Sequence, residues 1–219
     1  MMHYLLQFLN IVTALCGIAA CQPSKPAPAL RLLPYFQHAQ AGDTLRFLVA
    51  GEGENDVIPG DTIPNSLFFT VLDSVLLSEI NYIADSTDAL VLGRQRFSLN
   101  DTTDLCLVDI RKSWFQHQSL LLFNKSRQAV TGRITVAEWY GGEGGQILTG
   151  SWMLDYDGDG HKDLIRREIG HSLLLMENDA RDTIYESAAL LRWSGGRFVE
   201  SPLSDTALVV KQFPIPSFW

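Results

Sequence analysis

The sequence has few cysteines, fewer basic than acidic residues, and no long apolar run beyond its N-terminus. Only three of its 219 residues are cysteine, too few for a framework of several disulfides. Lysine and arginine number 17 against 25 aspartates and glutamates, and this net charge of −8 gives no basis for nucleic-acid binding. After the N-terminal segment no tract of about 18 apolar residues occurs, so we expect no membrane-spanning helix in the mature protein.

Familiar catalytic motifs are absent as well. There is no His-Glu-x-x-His metalloprotease motif and no Gly-x-Ser-x-Gly nucleophile elbow. His117 lies in the run 114–118 (Trp-Phe-Gln-His-Gln), which favours a surface turn over a general base. A carboxylate pair for glycoside hydrolysis cannot be recognised, because 25 acidic residues make such pairs expected by chance. We therefore expect that the protein is not an enzyme.

The composition is that of an ordered domain. Hydrophobic residues make up 46% of the chain and charged residues 19%, so a sizeable core can be buried. A length of 219 residues allows one domain, which we expect to span 29–219. The negative charge is explained by solubility and does not indicate a substrate.

The first twenty residues contain no Asp, Glu, Lys or Arg, and from Tyr4 to Ala20 they are mainly apolar. This run has the length of a signal-peptide core and is too short and too polar for a stable transmembrane helix. It ends in small residues before Cys21, and a stretch containing Pro and Ser follows from Gln22 to Pro28. This arrangement resembles the lipobox of bacterial lipoproteins.

The lipobox resemblance implies a signal peptide at 1–20, cleavage after Ala20, a lipid anchor on Cys21 and a tether at 21–28. Gln22, in place of an Asp, resembles the pattern of lipoproteins sent on to the outer membrane. Two or three acyl chains would anchor the protein stably, since a single chain binds only marginally. Two alternatives stay open: an ordinary cleaved signal with Cys21 incidental, and a retained anchor helix.

The remaining cysteines agree with a lipid on Cys21. If Cys16 leaves with the signal peptide and Cys21 is acylated, Cys106 has no disulfide partner. Cys106 stands in the apolar run 105–108, which predicts a buried and unreactive thiol.

Residues 155–163 are the one stretch whose spacing requires a specific chemistry. They read Asp-Tyr-Asp-Gly-Asp-Gly-His-Lys-Asp, with four carboxylates in nine residues. Crowded carboxylates raise one another's pKa, so they splay into water or bind a cation. Calcium takes about six to eight oxygen ligands, and the alternation places Asp155, Asp157 and Asp159 at positions one, three and five of a loop. Gly160 at position six permits the bend, and the carbonyl of His161 follows at position seven.

The loop departs from the EF-hand pattern at its end. Position twelve, a bidentate Glu in an EF-hand, is Arg166 here. Asp163, at position nine, must therefore be a ligand itself or hold a ligating water. The apolar flanks 146–154 and 164–165 predict strands rather than helices on either side of the loop.

A strand, the pattern Asp-x-Asp-Gly-Asp-Gly-x-x-Asp and a second strand resemble the calcium loops of FG-GAP and VCBS-type repeats in exported β proteins. The resemblance covers about fifteen to twenty of the 219 residues. Because the loop occurs once, it does not predict a propeller built from repeats. An acidic turn without metal is the alternative. The resemblance implies Ca²⁺ and the ligands Asp155, Asp157, Asp159, Asp163 and the carbonyl of His161.

From Ala89 onward, short apolar stretches separated by turn residues predict strands. We expect a mainly β fold of the α+β kind with one or two helices, arranged as an antiparallel sandwich or a barrel-like sheet. Residues 192–199 predict a closing hairpin with Trp193 and Phe198 in the core; an aromatic platform for sugar is the alternative. The predicted strands are 90–97, 104–110, 119–123, 132–140, 147–154, 164–169, 172–176, 190–193 and 197–199.

One helix is predicted before these strands. Apolar residues recur at helical spacing from Phe68 to Ile80, and Asn65 or Ser66 can cap the first turn. Neighbouring apolar residues leave a strand as the alternative.

These features together predict an exported, membrane-anchored bacterial lipoprotein of the cell envelope, in the outer membrane, with a calcium-stabilised β domain. We expect a binding or structural role, with a protein or glycan as the partner. The alternative is a calcium-supported hydrolase acting on envelope or extracellular polymer.

Overall fold

The fold is described here from a computed structural model, which covers residues 27–49, 60–78, 80, 88–113, 115–142, 144–176 and 179–216. The predicted signal peptide, Cys21 and most of the tether lie outside these residues. The N-terminal part contains short elements: two 3-10 helical turns (Pro28–Arg31 and Leu33–Tyr35), β1 (Gln37–His38), β2 (Leu45–Phe47), β3 (Asp61–Thr62), α1 (Asn65–Val71) and α2 (Ser74–Ser78).

Longer strands follow, and a short helix comes after the last of them. These elements are β4 (Leu90–Ser98), β5 (Thr103–Lys112), β6 (Phe115–Asn124), β7 (Ala129–Gly142), β8 (Gly145–Leu154), β9 (Asp163–Met176), β10 (Asp179–Ser194), β11 (Arg197–Ser201) and α3 (Thr206–Gln212). The prediction of a mainly β fold is confirmed.

All of these strands belong to one sheet. Its path runs β1-β4-β5-β6-β7-β8-β9-β10-β11, with β3 paired to β4 and β2 paired to β8. The β1–β4 pair is parallel and the other pairs are antiparallel. Within the described residues the sheet is not closed into a barrel, because its path begins at β1 and ends at β11.

Strand β8 changes its neighbour along its length. Residues 145–149 pair with 138–142 of β7, whereas residues 151–153 pair with β2. The first part of β7, residues 129–137, is therefore paired to β6 alone among the described strands. The sheet splits at this point, and the split leaves a cleft beside the edge of β7.

The central strands are buried on both faces. In β5, Leu105 belongs to the first hydrophobic core and Cys106 to the second; in β6, Leu120 and Leu121 divide in the same way. Strands covered on both faces have nearly continuous apolar sequences. This is why these two strands were recognisable as apolar runs.

Each core is covered by different elements. The first core lies under α3 and the segment after it, which contribute Val209 and Phe213. The second core lies under the N-terminal 3-10 turns and α1, which contribute Leu32, Phe36 and Phe68. The predicted hairpin 192–199 is confirmed by the pairing of β10 with β11.

Arg167 of β9 fastens α3 to the sheet. Its side chain is 1% exposed, and its Nη1 donates to the carbonyl oxygens of Val210 and, at 2.8 Å, Phe213. Its Nη2 donates to Glu186 Oε2 at 2.6 Å and its Nε to the carbonyl of Ser187 at 3.0 Å. The guanidinium thus supplies hydrogens to carbonyls at the C-terminal end of α3 that the helix itself cannot satisfy.

The single helix predicted from Phe68 to Ile80 is two helices in the structure. Helix α1 ends at Val71, and Leu72 is extended, with φ −85° and ψ 128°. Asp73 Oδ1 then accepts the N–H of Leu76 at 2.8 Å, as a side chain at a helix N-terminus does. The break occurs because this carboxylate competes for the backbone donors of the next turn.

The predicted cap of this helix is wrong. Pro64 holds the capping position, with no hydrogen bond from its side chain, and Asn65 already lies inside α1. Asn65 Nδ2 donates instead to the carbonyl of Ala89, at 2.9 Å. Asn65 is a residue type that can cap a helix, but its side chain is engaged in this hydrogen bond to a distant part of the chain.

Two strand predictions needed correction. The stretches 164–169 and 172–176 form one strand, β9, because Gly170 continues the ladder opposite Tyr185. Strand β10 begins at Asp179 rather than at residue 190. Residues 181–187 are exposed, so their polar sequence gives no apolar alternation.

Candidate metal site

The acidic loop 155–162 joins β8 to β9. The two strands are antiparallel, and Leu154 pairs with Asp163 directly below the loop. The prediction of a strand, a loop and a second strand is therefore confirmed. One oxygen from each carboxylate of Asp155, Asp157 and Asp159 lies within 4.8 Å of the others, and all three residues are exposed.

Hydrogen bonds within the loop orient these carboxylates. Asp155 Oδ1 accepts the N–H of Gly158 at 2.8 Å, and its Oδ2 accepts the N–H of Gly160 at 2.9 Å. Asp159 Oδ1 accepts the N–H of His161 at 2.8 Å. The loop is thus curled around the Asp155 carboxylate, with its backbone donors turned towards it.

Two glycines make this curl possible. Gly158 has φ 79° and Gly160 has φ 84°, both in the left-handed region that residues with a Cβ rarely adopt. Gly160 is the glycine that the sequence places at position six. Nothing lies within 4 Å of a Cβ added at either position, so the backbone conformation, not space, requires glycine.

Asp163 lies at the base of the loop and differs from the other three aspartates. It is 4% exposed, and its Oδ2 is buried without a hydrogen-bond partner. Burial raises the pKa of Asp163, the charge of Asp157 raises it further, and a hydrogen bond from the backbone of Tyr156 lowers it. A buried carboxylate oxygen with no partner is costly, and a cation beside it would remove the cost.

Two basic residues connect the loop to other parts of the chain, one from outside it and one from within it. Arg192 of β10 places Nη2 2.9 Å from Asp157 Oδ2, and Lys162 Nζ donates to the carbonyls of Gly42, at 3.2 Å, and Asp43. Sequence reasoning missed both contacts, because Arg192, Gly42 and Asp43 are distant from the loop along the chain. Arg192 neutralises part of the acidic charge and would compete with a metal for Asp157.

The donor set fits a hard cation. The oxygens that the structure brings together are those of the Asp155, Asp157 and Asp159 carboxylates. Ca²⁺ and Mg²⁺ prefer oxygen donors, while softer metals prefer nitrogen and sulfur. Of the predicted ligands, Asp155, Asp157 and Asp159 are brought together, and Asp163 is electrostatically coupled to Asp157 and Asp159. His161 lies in the same loop with its N–H turned to Asp159.

A second polar group lies inside the protein, centred on His117. The prediction of a surface turn there is wrong: His117 is 0% exposed and belongs to β6. Its Nδ1 lies 3.2 Å from Glu138 Oε1 and its Nε2 2.6 Å from Ser119 Oγ. Arg133 Nη1 donates to Ser119 Oγ at 2.6 Å. The residues on either side of His117 are polar, and this pattern is why the sequence predicted a surface turn instead of a buried strand.

Cys106 is buried and free, as its apolar surroundings predict. It is 2% exposed, and burial raises the pKa of its thiol to about 12. Trp193 and Phe198 are partly buried against the first core, in edge-to-face contact with ring centroids 5.2 Å apart.

Among the described residues no helix combines the length and apolarity needed to cross a bilayer. Comparison of the chain with protein-family models, with characterised proteins and with solved structures finds no match in any of the three.

Proposed function

We propose that this chain is an exported bacterial lipoprotein whose β domain is stabilised by a calcium ion in the loop 155–163 and serves a binding or structural role in the cell envelope. The observation that carries the calcium site is the buried Oδ2 of Asp163, which has no hydrogen-bond partner and lies at the base of the loop in which the carboxylates of Asp155, Asp157 and Asp159 converge. The lipid anchor is supported by the sequence before Cys21.

Calcium in this loop would have a structural role. It would neutralise the repulsion among the four aspartates and hold the β8–β9 connection closed. Calcium sites in extracellular modules bind with dissociation constants of about 10⁻⁴–10⁻³ M. Such an affinity suits a site that ambient calcium keeps filled, so we assign it to stability and not to signalling.

Calcium titration of the full chain tests this proposal. At a calcium concentration of about 10–100 times Kd, a single site adds about 1.4–2.7 kcal/mol. For a protein of this size that raises the Tm by roughly 3–10 °C relative to EDTA. Isothermal titration calorimetry should show one binding event, and wild-type protein that gives neither heat nor a Tm change would contradict the site.

The substitution Asp163→Asn distinguishes loss of calcium binding from loss of stability of the fold. The substitution removes a buried charge but retains an oxygen for the backbone of Tyr156, so without calcium the Tm should equal or exceed that of the wild type. The calcium-dependent rise should be lost. Asp101→Asn, in the exposed turn between β4 and β5, is the matched control and should keep the full rise.

The alternative of a calcium-supported hydrolase is favoured by one arrangement. Ser119, His117 and Glu138 are spaced as in an acyl-transfer triad, with separations of 2.6 and 3.2 Å. However, Ser119 and His117 are both 0% exposed, so a polymer cannot reach the hydroxyl. We expect no labelling of Ser119 by a fluorophosphonate in mass spectrometry; labelling would favour the hydrolase.

A further inference from the structure

The cleft at the split in the sheet has a basic lining in an otherwise acidic protein. It has a volume of about 610 Å³ and is bordered by the free edge of β7, by β9 and by the β10–β11 hairpin. Three arginines line it, Arg133, Arg166 and Arg197, with the hydroxyl-bearing Thr131 and Thr135. None of its described lining residues is an aspartate or glutamate.

Arg133 is fixed in the wall of the cleft. Its Nε donates to the carbonyl of Leu76 at 2.9 Å, and its Nη1 donates to Ser119 Oγ and, at 3.0 Å, to Thr135 Oγ1. The residue is only 8% exposed. A guanidinium held in this way keeps its orientation without the entropic cost of ordering it when a ligand binds.

The other two arginines are not neutralised within the described structure. Arg166 is half-buried on β9 and Arg197 is exposed at the start of β11, and neither makes an ion pair or side-chain hydrogen bond there. Elsewhere, Arg94, Arg111 and Arg192 are each paired with an aspartate. In a chain of net charge −8, arginines left without acids in one cleft produce a local field that attracts anions.

The rest of the cleft is apolar. Leu122, Ile134, Leu191 and the ring of Phe198 form its walls, and Phe198 is held in edge-to-face contact by Trp193. Guanidinium groups bind phosphate, sulfate and carboxylate through paired hydrogen bonds. An apolar wall beside them selects a ligand that carries an apolar group next to its anionic head.

We propose that this cleft binds an organic oxyanion, a phosphate, sulfate or carboxylate attached to an apolar group, with Arg166 and Arg197 gripping the anion beside the fixed Arg133. A free small molecule and the headgroup of an anionic lipid share this chemistry. The cleft is separate from the loop 155–163, and the proposal depends neither on calcium nor on a lipid at Cys21.

Phenyl phosphate is the probe for this site, titrated into the full chain in neutral detergent with EDTA present. We expect saturable binding that weakens with added salt. Arg166→Gln and Arg197→Gln should each reduce the affinity at least tenfold with unchanged Tm, because neither side chain supports the fold. Arg127→Gln, in the exposed β6–β7 turn, makes the same change in charge and should bind as the wild type does.

Vesicles distinguish the two sources of the anion. Full chain carrying Cys21→Ser is mixed with vesicles of phosphatidylglycerol or of phosphatidylcholine alone. Binding to the anionic vesicles that phenyl phosphate and Arg166→Gln both abolish assigns the cleft to a lipid headgroup. Binding of phenyl phosphate without vesicle binding assigns it to a free ligand. No binding of phenyl phosphate, or equal loss in Arg127→Gln, would overturn the proposal.

Discussion

His117 and the side chains around it form a polar cluster inside the second core. Glu138 accepts from one ring nitrogen, Ser119 contacts the other, and the charges of Arg133 and Asp109 act on the ring as well. Burial lowers the pKa of His117, and Glu138 opposes part of that lowering. The imidazole is therefore neutral at neutral pH, with one nitrogen donating and the other accepting.

This cluster makes the stability of the fold depend on pH. Unfolded histidine titrates near pH ~6.5, and the folded protein takes up this proton only at lower pH. Below pH ~6.5 the unfolded state therefore binds more protons, so the free energy of unfolding decreases as the pH falls. We expect the Tm in EDTA to drop between pH ~7.5 and pH ~5.5, measured by thermal unfolding.

His117→Gln should remove part of that drop. It should also lower the free energy of unfolding by about 1–3 kcal/mol at neutral pH, because buried partners lose a hydrogen bond. Arg127→Gln, in the exposed β6–β7 turn, is the control and should keep the pH slope of the wild type. An equal pH slope in wild type and His117→Gln would contradict the assignment.

The acidic loop was predictable from the sequence because its interactions are local. Asp155, Gly158 and Gly160 lie within a few residues, and the hydrogen bonds that curl the loop join them directly. The charge on the loop was not predictable in full, because Arg192 comes from another strand. Residue spacing along the chain can identify ligands that are close in sequence. Contacts from other strands can be predicted only when the topology of the sheet is known.

Among the elements, α3 packs on the first core and is also hydrogen-bonded by one side chain of the sheet. Arg167 binds the carbonyls of Val210 and Phe213 and pairs with Glu186. Arg167→Met keeps the buried volume but removes every donor, and the carbonyls then lie buried without partners. We expect the free energy of unfolding to fall by about 2–3 kcal/mol in denaturant titration.

Hydrogen exchange locates the effect of Arg167→Met. Amides of α3 should lose protection more than those of β5 and β6, since α3 is held at its end and is only seven residues long. Arg127→Met, in an exposed turn, should change neither stability nor exchange. Unchanged protection of α3 in Arg167→Met would show that packing of Val209 and Phe213 alone retains it.

The sequence predicted the elements that have apolar faces. It did not predict those that form through hydrogen bonding to a neighbouring strand. Strands β5 and β6 are buried on both faces and stand out in the sequence. The beginning of β10 is exposed and becomes a strand through its ladder with β9. The break between α1 and α2 was missed because the apolar stripe continues across it while Asp73 ends the helical hydrogen bonding.

For the molecule as a whole, the lipid anchor predicted at Cys21 is tested by substitution of that residue. Cys21→Ser should move the protein from the membrane pellet to the soluble fraction and abolish labelling with radioactive palmitate. Cys16→Ser, within the predicted signal peptide, should leave both unchanged. Fractionation of Cys21→Ser with the membranes would favour a retained anchor helix.

One sheet shared by two cores determines how the domain melts. Leu105 and Cys106 are adjacent in β5 but pack into different cores, so loss of either core disorders the strand that supports the other. The mainly β composition was predictable from sequence, but this sharing was not, because alternate residues on both faces of β5 and β6 are apolar.

The Cys106 thiol determines whether the folded domain can form disulfides under oxidising conditions. Its thiol is buried, and with a pKa of about 12 almost none of it is thiolate at neutral pH. Thiol–disulfide exchange requires the thiolate and access to it. The folded domain therefore does not form covalent dimers through Cys106 or react there with glutathione, and modification of this thiol reports unfolding.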